Sequence, residues 1–114
     1  LTVQEQVEIV DAAKVLKLLG DKTRLTMMKI LADHDCCVCE FVEIFGMSQP
    51  SISQHMRKLK DAGLVEEERR GHWIFYSIRE DHPHVQLVES VLASLPSQDD
   101  KVKELIKGGK RICC

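Results

Sequence analysis

Several features that would settle the function of this 114-residue chain at a glance are missing from it. No apolar run approaches the roughly 18 residues that a membrane helix needs, and no charged-then-apolar leader opens the chain, so neither a membrane protein nor a secreted precursor is expected. Cations are not in excess: 16 Lys+Arg stand against 18 Asp+Glu, a formal charge of −2. That excludes a uniformly basic nucleic-acid binder but leaves room for a locally basic one. There is no Gly-rich phosphate loop, no C-x-x-C following a strand and no repeat or low-complexity tract, so an enzyme is not expected. A hydrophobic content of 44% with 30% charged residues is that of a soluble globular protein, and the length fits one domain. What stands out is cysteine. Five are present, as Cys36-Cys37-x-Cys39 and Cys113-Cys114. An odd number packed this tightly is a poor disulfide framework, which points to thiol chemistry in a reducing cytoplasm.

The apolar periodicity predicts a mainly α chain with a small β-hairpin. Val3, Val7, Val10, Ala13, Leu16 and Leu19 form one helical stripe from Thr2 to Leu19. After Gly20, Asp21 is a good N-cap for a helix from Lys22 to about Ala32 carrying Leu25, Met28, Ile30 and Leu31. A short helix fits Val38 to Phe45, closed by Gly46. Ser48 then caps a fourth, with Pro50 in its first turn and Ile52, Met56 and Leu59 as its buried stripe. The period changes at Leu64–Arg69, a polar strand, which Arg70-Gly71-His72 turns into Trp73–Ile78. A helix from Pro83 to about Leu95 follows, and residues 97–107 fit a last amphipathic one through Val102, Leu105 and Ile106. This order is that of a winged helix-turn-helix, as a single domain over residues 1–107 with a flexible tail at 108–114.

Such a fold reads DNA with its second helix-turn-helix element. From Ser48 to Lys60 there are three cations and no acid. Ser48, Gln49, Ser51, Ser53, Gln54 and His55 offer short polar groups for base edges in a major groove. Arg57 and Lys58, with Arg69, Arg70 and His72 in the wing, suit phosphates or a neighbouring minor groove. One domain supplies few phosphate contacts, whereas a two-fold dimer doubles them and sets two reading heads about 34 Å apart on double-stranded operator DNA. The apolar stripes on the first helix and on Pro83–Leu95 are therefore expected to form a homodimer interface.

From about Val7 to Leu95 the chain resembles the ArsR/SmtB family of metalloregulatory repressors. The resemblance is carried by Leu18–Leu25, by Cys37-Val38-Cys39-Glu40, by Ser48-Gln49-Pro50-Ser51-Ile52-Ser53-Gln54-His55, and by Gly63-Leu64-Val65 through the wing to Tyr76-Ser77. It implies a dimeric repressor that leaves its operator when a thiophilic ion binds, and the Cys-Val-Cys box is most like the arsenical-responsive branch or its cadmium/lead relatives. As(III) and Sb(III) are soft ions that take three thiolates, and Cd(II) or Pb(II) takes three or four. Cys37 and Cys39 on a regular helix would diverge by about 200°, so they are expected to converge only if that helix's first turn unwinds. The arsenical branch usually adds a third cysteine where this chain has Val42. The third thiolate is then Cys36, Cys113 or Cys114, the last two from the same chain or its partner. A redox or persulfide sensor on the same scaffold is the competing reading, since neighbouring cysteines also oxidise reversibly. His82-x-His84 resembles half of the family's zinc site, but the partner half falls near Leu95 and Gln98, which are not ligands, so these read as surface histidines.

Overall fold

A computed structural model describes residues 8–107 of the chain, with side chains through residue 105. The start of the expected first helix and the 108–114 tail, with Cys113 and Cys114, lie outside the described residues. The elements run α1 (Ile9–Leu19), α2 (Lys22–Leu31), β1 (Cys36–Cys37), α3 (Val38–Phe45), α4 (Gln49–Asp61), β2 (Val65–Arg70), β3 (Trp73–Ile78), α5 (Val85–Ala93) and α6 (Asp99–Lys107).

Local chemistry sets the boundaries. The Asp21 carboxylate accepts the Arg24 N–H at 3.0 Å, which starts α2. Gly46 adopts φ 62°, a left-handed conformation that glycine takes without penalty, and its N–H closes α3 on the Val42 carbonyl at 2.9 Å. Two residues later the Ser48 hydroxyl accepts the Ser51 N–H and opens α4. Helix, tight turn and helix are thus spelled out by Gly46 and Ser48. Gly71, at φ 65°, makes the equivalent left-handed bend between β2 and β3.

The expected hairpin is one strand short of what forms. The sheet order is β1-β3-β2, with β3 in the centre. Cys36 faces Tyr76 and Cys37 faces Phe75 across an antiparallel ladder. On the other side Val65 to Arg70 pair with Ile78 to Trp73. Two residues are too short to show an alternation, so β1 leaves no periodic signal in the sequence.

The core gathers Met27, Met28, Ile30 and Leu31 of α2 with Phe41 of α3 and Ile52, Met56 and Leu59 of α4. Val15, Leu19, Val65, Val88, Leu92 and Val102 close around them. Ile52, Met56 and Leu59 are fully enclosed, so the orientation of α4 is fixed by side chains that cost about 2–5 kcal/mol each to truncate. The terminal helix α6 lies against α3 through Val102 and Leu105, and His34 bonds Asp99 at 3.0 Å at its start.

The expected interface stripes divide. On α5, which is shorter than the Pro83–Leu95 span, Val88 and Leu92 are buried in this chain's own core. On α1, Val15 and Leu19 point inward, while Ile9, Val10 and Leu16 remain 84%, 65% and 46% exposed. Of the two stripes, among the described residues, α1 carries the outward apolar row.

Replacing the Asp21 cap by alanine should cost about 1 kcal/mol in urea unfolding at pH 7. The Arg24 N–H holds the Asp21 carboxyl below its ordinary value of 3.8. The group is lowered on folding, so its contribution is complete above 3.8 and fades as the pH falls through the folded value. The difference between wild type and Asp21→Ala should therefore shrink at pH 3.

Candidate thiol sensor and DNA-reading surface

Cys37 is the last residue of β1 and the N-cap of α3. Its backbone is extended, with φ −94° and ψ 167°, not helical. The 200° divergence expected for two helical cysteines therefore does not apply, because only Cys39 is inside the helix. The Cys37 and Cys39 sulfurs lie 2.9 Å apart with the first turn of α3 intact. That separation exceeds the roughly 2.05 Å of a covalent S–S bond but is shorter than an ordinary non-bonded sulfur contact, so the pair stands where a disulfide closes with little movement and must open slightly to share an ion. Unwinding is not needed to bring them together.

Glu40 explains how this junction is held. Its carboxylate, buried to 1% exposure, accepts the Cys37 N–H at 3.0 Å. With Cys37 sulfur over the N–H of Glu40, the pair forms a capping box in which a thiol replaces the usual hydroxyl. The Cys-x-x-Glu spacing carried that signal in the sequence. Cys36 goes elsewhere. Successive residues of a strand point to opposite faces, so Cys36 turns into the core with no exposure while Cys37 faces α3. Among the described residues, no three His, Cys, Asp or Glu side chains converge to hold an ion.

On α4 the predicted reading residues separate by exposure. Gln49, Gln54, Arg57 and Lys58 are exposed. Ser48 caps the helix and is bonded to Ser51 at 3.0 Å, while Gln49 donates to Ser53 at 2.8 Å. His55 is half-buried and points back at α2, its Nδ1 3.2 Å from Arg24 Nη1. Arginine has no acceptor, so this ring nitrogen accepts and the imidazole proton sits on Nε2. Arg24 also donates to the Leu18 carbonyl at 2.8 Å and so ties the α1–α2 corner to the reading helix. Sequence reasoning assigned it no role. Lys60 is engaged with Glu67 of β2 at 2.6 Å, a contact that keeps the Glu67 carboxyl below its ordinary range.

In the wing Arg69 and His72 are exposed beside Trp73, a large aromatic at 37% exposure. Arg70 differs from its neighbours. It bonds Glu68 at 2.7 Å and Asp35 at 2.8 Å and stacks over the Phe75 ring at 4.6 Å. Both carboxylates, Glu68 foremost, raise its already high pKa.

The surface reading of His82 is corrected: it is only 7% exposed, and burial lowers its pKa. The His84 N–H donates to its Nδ1 at 3.0 Å, which leaves the proton on Nε2 in the neutral ring.

A recognition helix seated on a helical core, preceded by a helix and tight turn and followed by a β-hairpin wing, defines a DNA-binding transcriptional regulator of the winged helix-turn-helix class, not an enzyme. Residues 21–67 match the family described as bacterial regulatory protein, arsR family, and the chain belongs to that family. It is 37% identical over 84% of its length to an uncharacterized HTH-type transcriptional regulator of Methanocaldococcus jannaschii, covering 88% of that protein. It is 38% identical over 75% of its length to the arsenic resistance transcriptional regulator ArsR1 of Pseudomonas putida, covering 66% of it. A solution structure of a homodimeric winged helix-turn-helix DNA-binding domain from Mycobacterium bovis, a possible ArsR-family regulator, superposes with a TM-score of 0.61 at 28% identity, over 75% of this chain and 74% of that one.

Glu40→Ala should lower stability by about 1–3 kcal/mol in urea unfolding, because it strands the buried Cys37 N–H. Glu40→Gln retains a carbonyl acceptor and should lose less than half of that.

Proposed function

We propose that this protein is a dimeric operator-binding repressor that releases DNA when As(III) or Sb(III) binds thiolates at the β1–α3 junction. The observation that carries this reading is the convergence of Cys37 and Cys39, 2.9 Å apart, on the helix that leads directly into the recognition helix. Two sulfurs at one point suit a soft ion, and Cd(II) or Pb(II) fits the same donors. Cys37 and Cys39 are the core of the site. Cys36 joins only if β1 leaves β3, since its side chain lies on the far face of the sheet. Cys113 or Cys114 is the better third ligand. They end a run of seven residues after α6, and α6 packs on α3. Seven extended residues span about 23–25 Å. The thiolates require a reducing compartment, and we assign the protein to the cytoplasm.

Operator contacts are assigned to Gln49, Gln54, Arg57 and Lys58 in the major groove and to Arg69 and His72 in the wing. Ser51, Ser53 and His55 support that surface from within the helix. The dimer is assigned to the outward row of α1, with Leu87, Val91 and Leu95 of α5 beside the core as a second strip. Leu16→Glu should convert the dimer to monomer in sedimentation and weaken operator binding. A dimer that survives the charge places the interface elsewhere.

Cys37→Ser should bind operator DNA like wild type in a mobility-shift assay but stay bound when arsenite is added. Arsenite freeing that variant from DNA would overturn the site.

A second reading rests on the same distance. Sulfurs this close need little movement to form a disulfide, with two protons and two electrons passing to an oxidant. Release from DNA by an oxidant or polysulfide, with none by arsenite, would favour redox sensing.

A further inference from the structure

Sensing at Cys37 and Cys39 requires a route to the DNA, and the helix-turn-helix linker through Gly46 is only one physical path. The geometry offers a second. Cys37 is paired with Phe75 across the β1–β3 ladder, and Phe75 is in turn opposite Glu68 on β2. Residues directly opposite share a face, so Cys37, Phe75 and Glu68 lie on one side of the sheet, and Arg70, two positions after Glu68, joins them. The Arg70 guanidinium covers the Phe75 ring at 4.6 Å, bonds Glu68 at 2.7 Å, and reaches out of the hairpin to Asp35 at 2.8 Å. Asp35 stands two residues before Cys37. The chain therefore closes a loop: Asp35 to Cys37 by the backbone, Cys37 to Phe75 by the ladder, Phe75 to Arg70 by stacking, and Arg70 back to Asp35 by an ion pair.

We propose that Arg70 is a coupling residue that holds the wing in its DNA-binding orientation through Asp35, and that ion binding at Cys37 and Cys39 acts on the wing by disturbing this loop. The second half rests on the thiol-sensing reading above. An ion that draws the two sulfurs toward a third ligand pulls on Cys37, which joins the two-residue strand to the Glu40 cap. Motion of residues 35–37 against β3 either breaks the Asp35–Arg70 pair or carries the hairpin with it. In both cases Arg69 and His72 at the wing tip leave their place on the duplex. Arg70 is thereby distinguished from Arg69, as a positioning residue and not a phosphate contact.

The discriminating variant is Asp35→Asn, at a position 41% exposed, where the side-chain shape is preserved. If Arg70 binds phosphate, removing the competing carboxylate frees it: operator affinity should rise and the dependence of log affinity on log salt should steepen by about one contact. If Arg70 positions the wing, operator affinity should instead fall by up to about fivefold, the range of a half-exposed ion pair, with the salt slope unchanged. Arg70→Gln should fall by a similar factor, and the double variant should lose no more than either single one, as expected for two residues of one interaction.

Arsenite is then titrated against wild type and both single variants, with operator binding followed by fluorescence anisotropy and ion binding by sulfur-to-arsenic absorption. The variants should bind arsenite as wild type does, while the arsenite-driven loss of affinity shrinks by the factor already lost without it. Tighter operator binding by Asp35→Asn, or an undiminished arsenite response in both variants, overturns the proposal. Wild-type protein that binds no arsenite overturns the sensing reading instead, and the ion-free comparison of Asp35→Asn with wild type still decides the role of Arg70.

Discussion

Everything between the thiols and the DNA depends on one residue belonging to two elements at once. The Cys37 backbone ends the strand that pairs with β3, and the same residue caps α3 with its N–H bound to Glu40. Because an N-cap is extended, its side chain does not follow the 100° step of the helix, and its sulfur falls beside that of Cys39. The convergence of the two sulfurs arises from that local geometry.

A chain with a formal charge of −2 suits DNA binding by where its cations lie and not by their number. Several cations that look available in the sequence are committed inside the fold: Lys60 to Glu67, Arg70 to Glu68 and Asp35, and Arg24 to the Leu18 carbonyl and His55. These contacts hold α4, the wing and the α1–α2 corner in register with one another. Arg57, Lys58 and Arg69 are left exposed on the reading side. Three cations neutralise few phosphates, and affinity depends steeply on that number, so a single domain is a weak binder and two joined ones are a much stronger one. The outward Ile9, Val10 and Leu16 row on α1 is the part of the surface suited to joining them.

The sequence was most legible where a single residue type has a single physical use. Asp21 and Ser48 as caps, Gly46 and Gly71 as left-handed residues, and the Ile52-Met56-Leu59 stripe all stand where their chemistry placed them. It was least legible where one position decides between two geometries. The expected Val38–Phe45 span already left Cys37 just outside the helix, and the 200° step does not hold for a residue there: as an extended N-cap it sends its sulfur beside that of Cys39. Likewise an apolar stripe on α5 states that Val88 and Leu92 are buried without stating whether the cover is this chain or another. Arg70 and Asp35 are 35 positions apart, and nothing local to either announces the other.

The relative costs of moving the parts show where a switch in this fold can act. Rotating α4 within its own domain would repack Ile52, Met56 and Leu59, at about 2–5 kcal/mol for each side chain that loses its packing. Allosteric coupling between two sites is typically about 1–3 kcal/mol, too little to repack that core. Releasing a two-residue strand gives up ladder bonds with a net worth of about 0.5–1.5 kcal/mol each, and a half-exposed ion pair adds about 1 kcal/mol at most. Those terms are small beside the repacking of α4, and a shift that leaves Cys36 in the core and the Cys37 N–H on Glu40 adds nothing further to them. On the proposed thiol-sensing reading, a helix-turn-helix that stays rigid while the strand and wing beside it shift is therefore the least costly way for binding at Cys37 and Cys39 to change DNA affinity. Cys37 at the end of β1 and Cys39 in the first turn of α3 stand beside that strand and wing, and not among the buried methionines of α2.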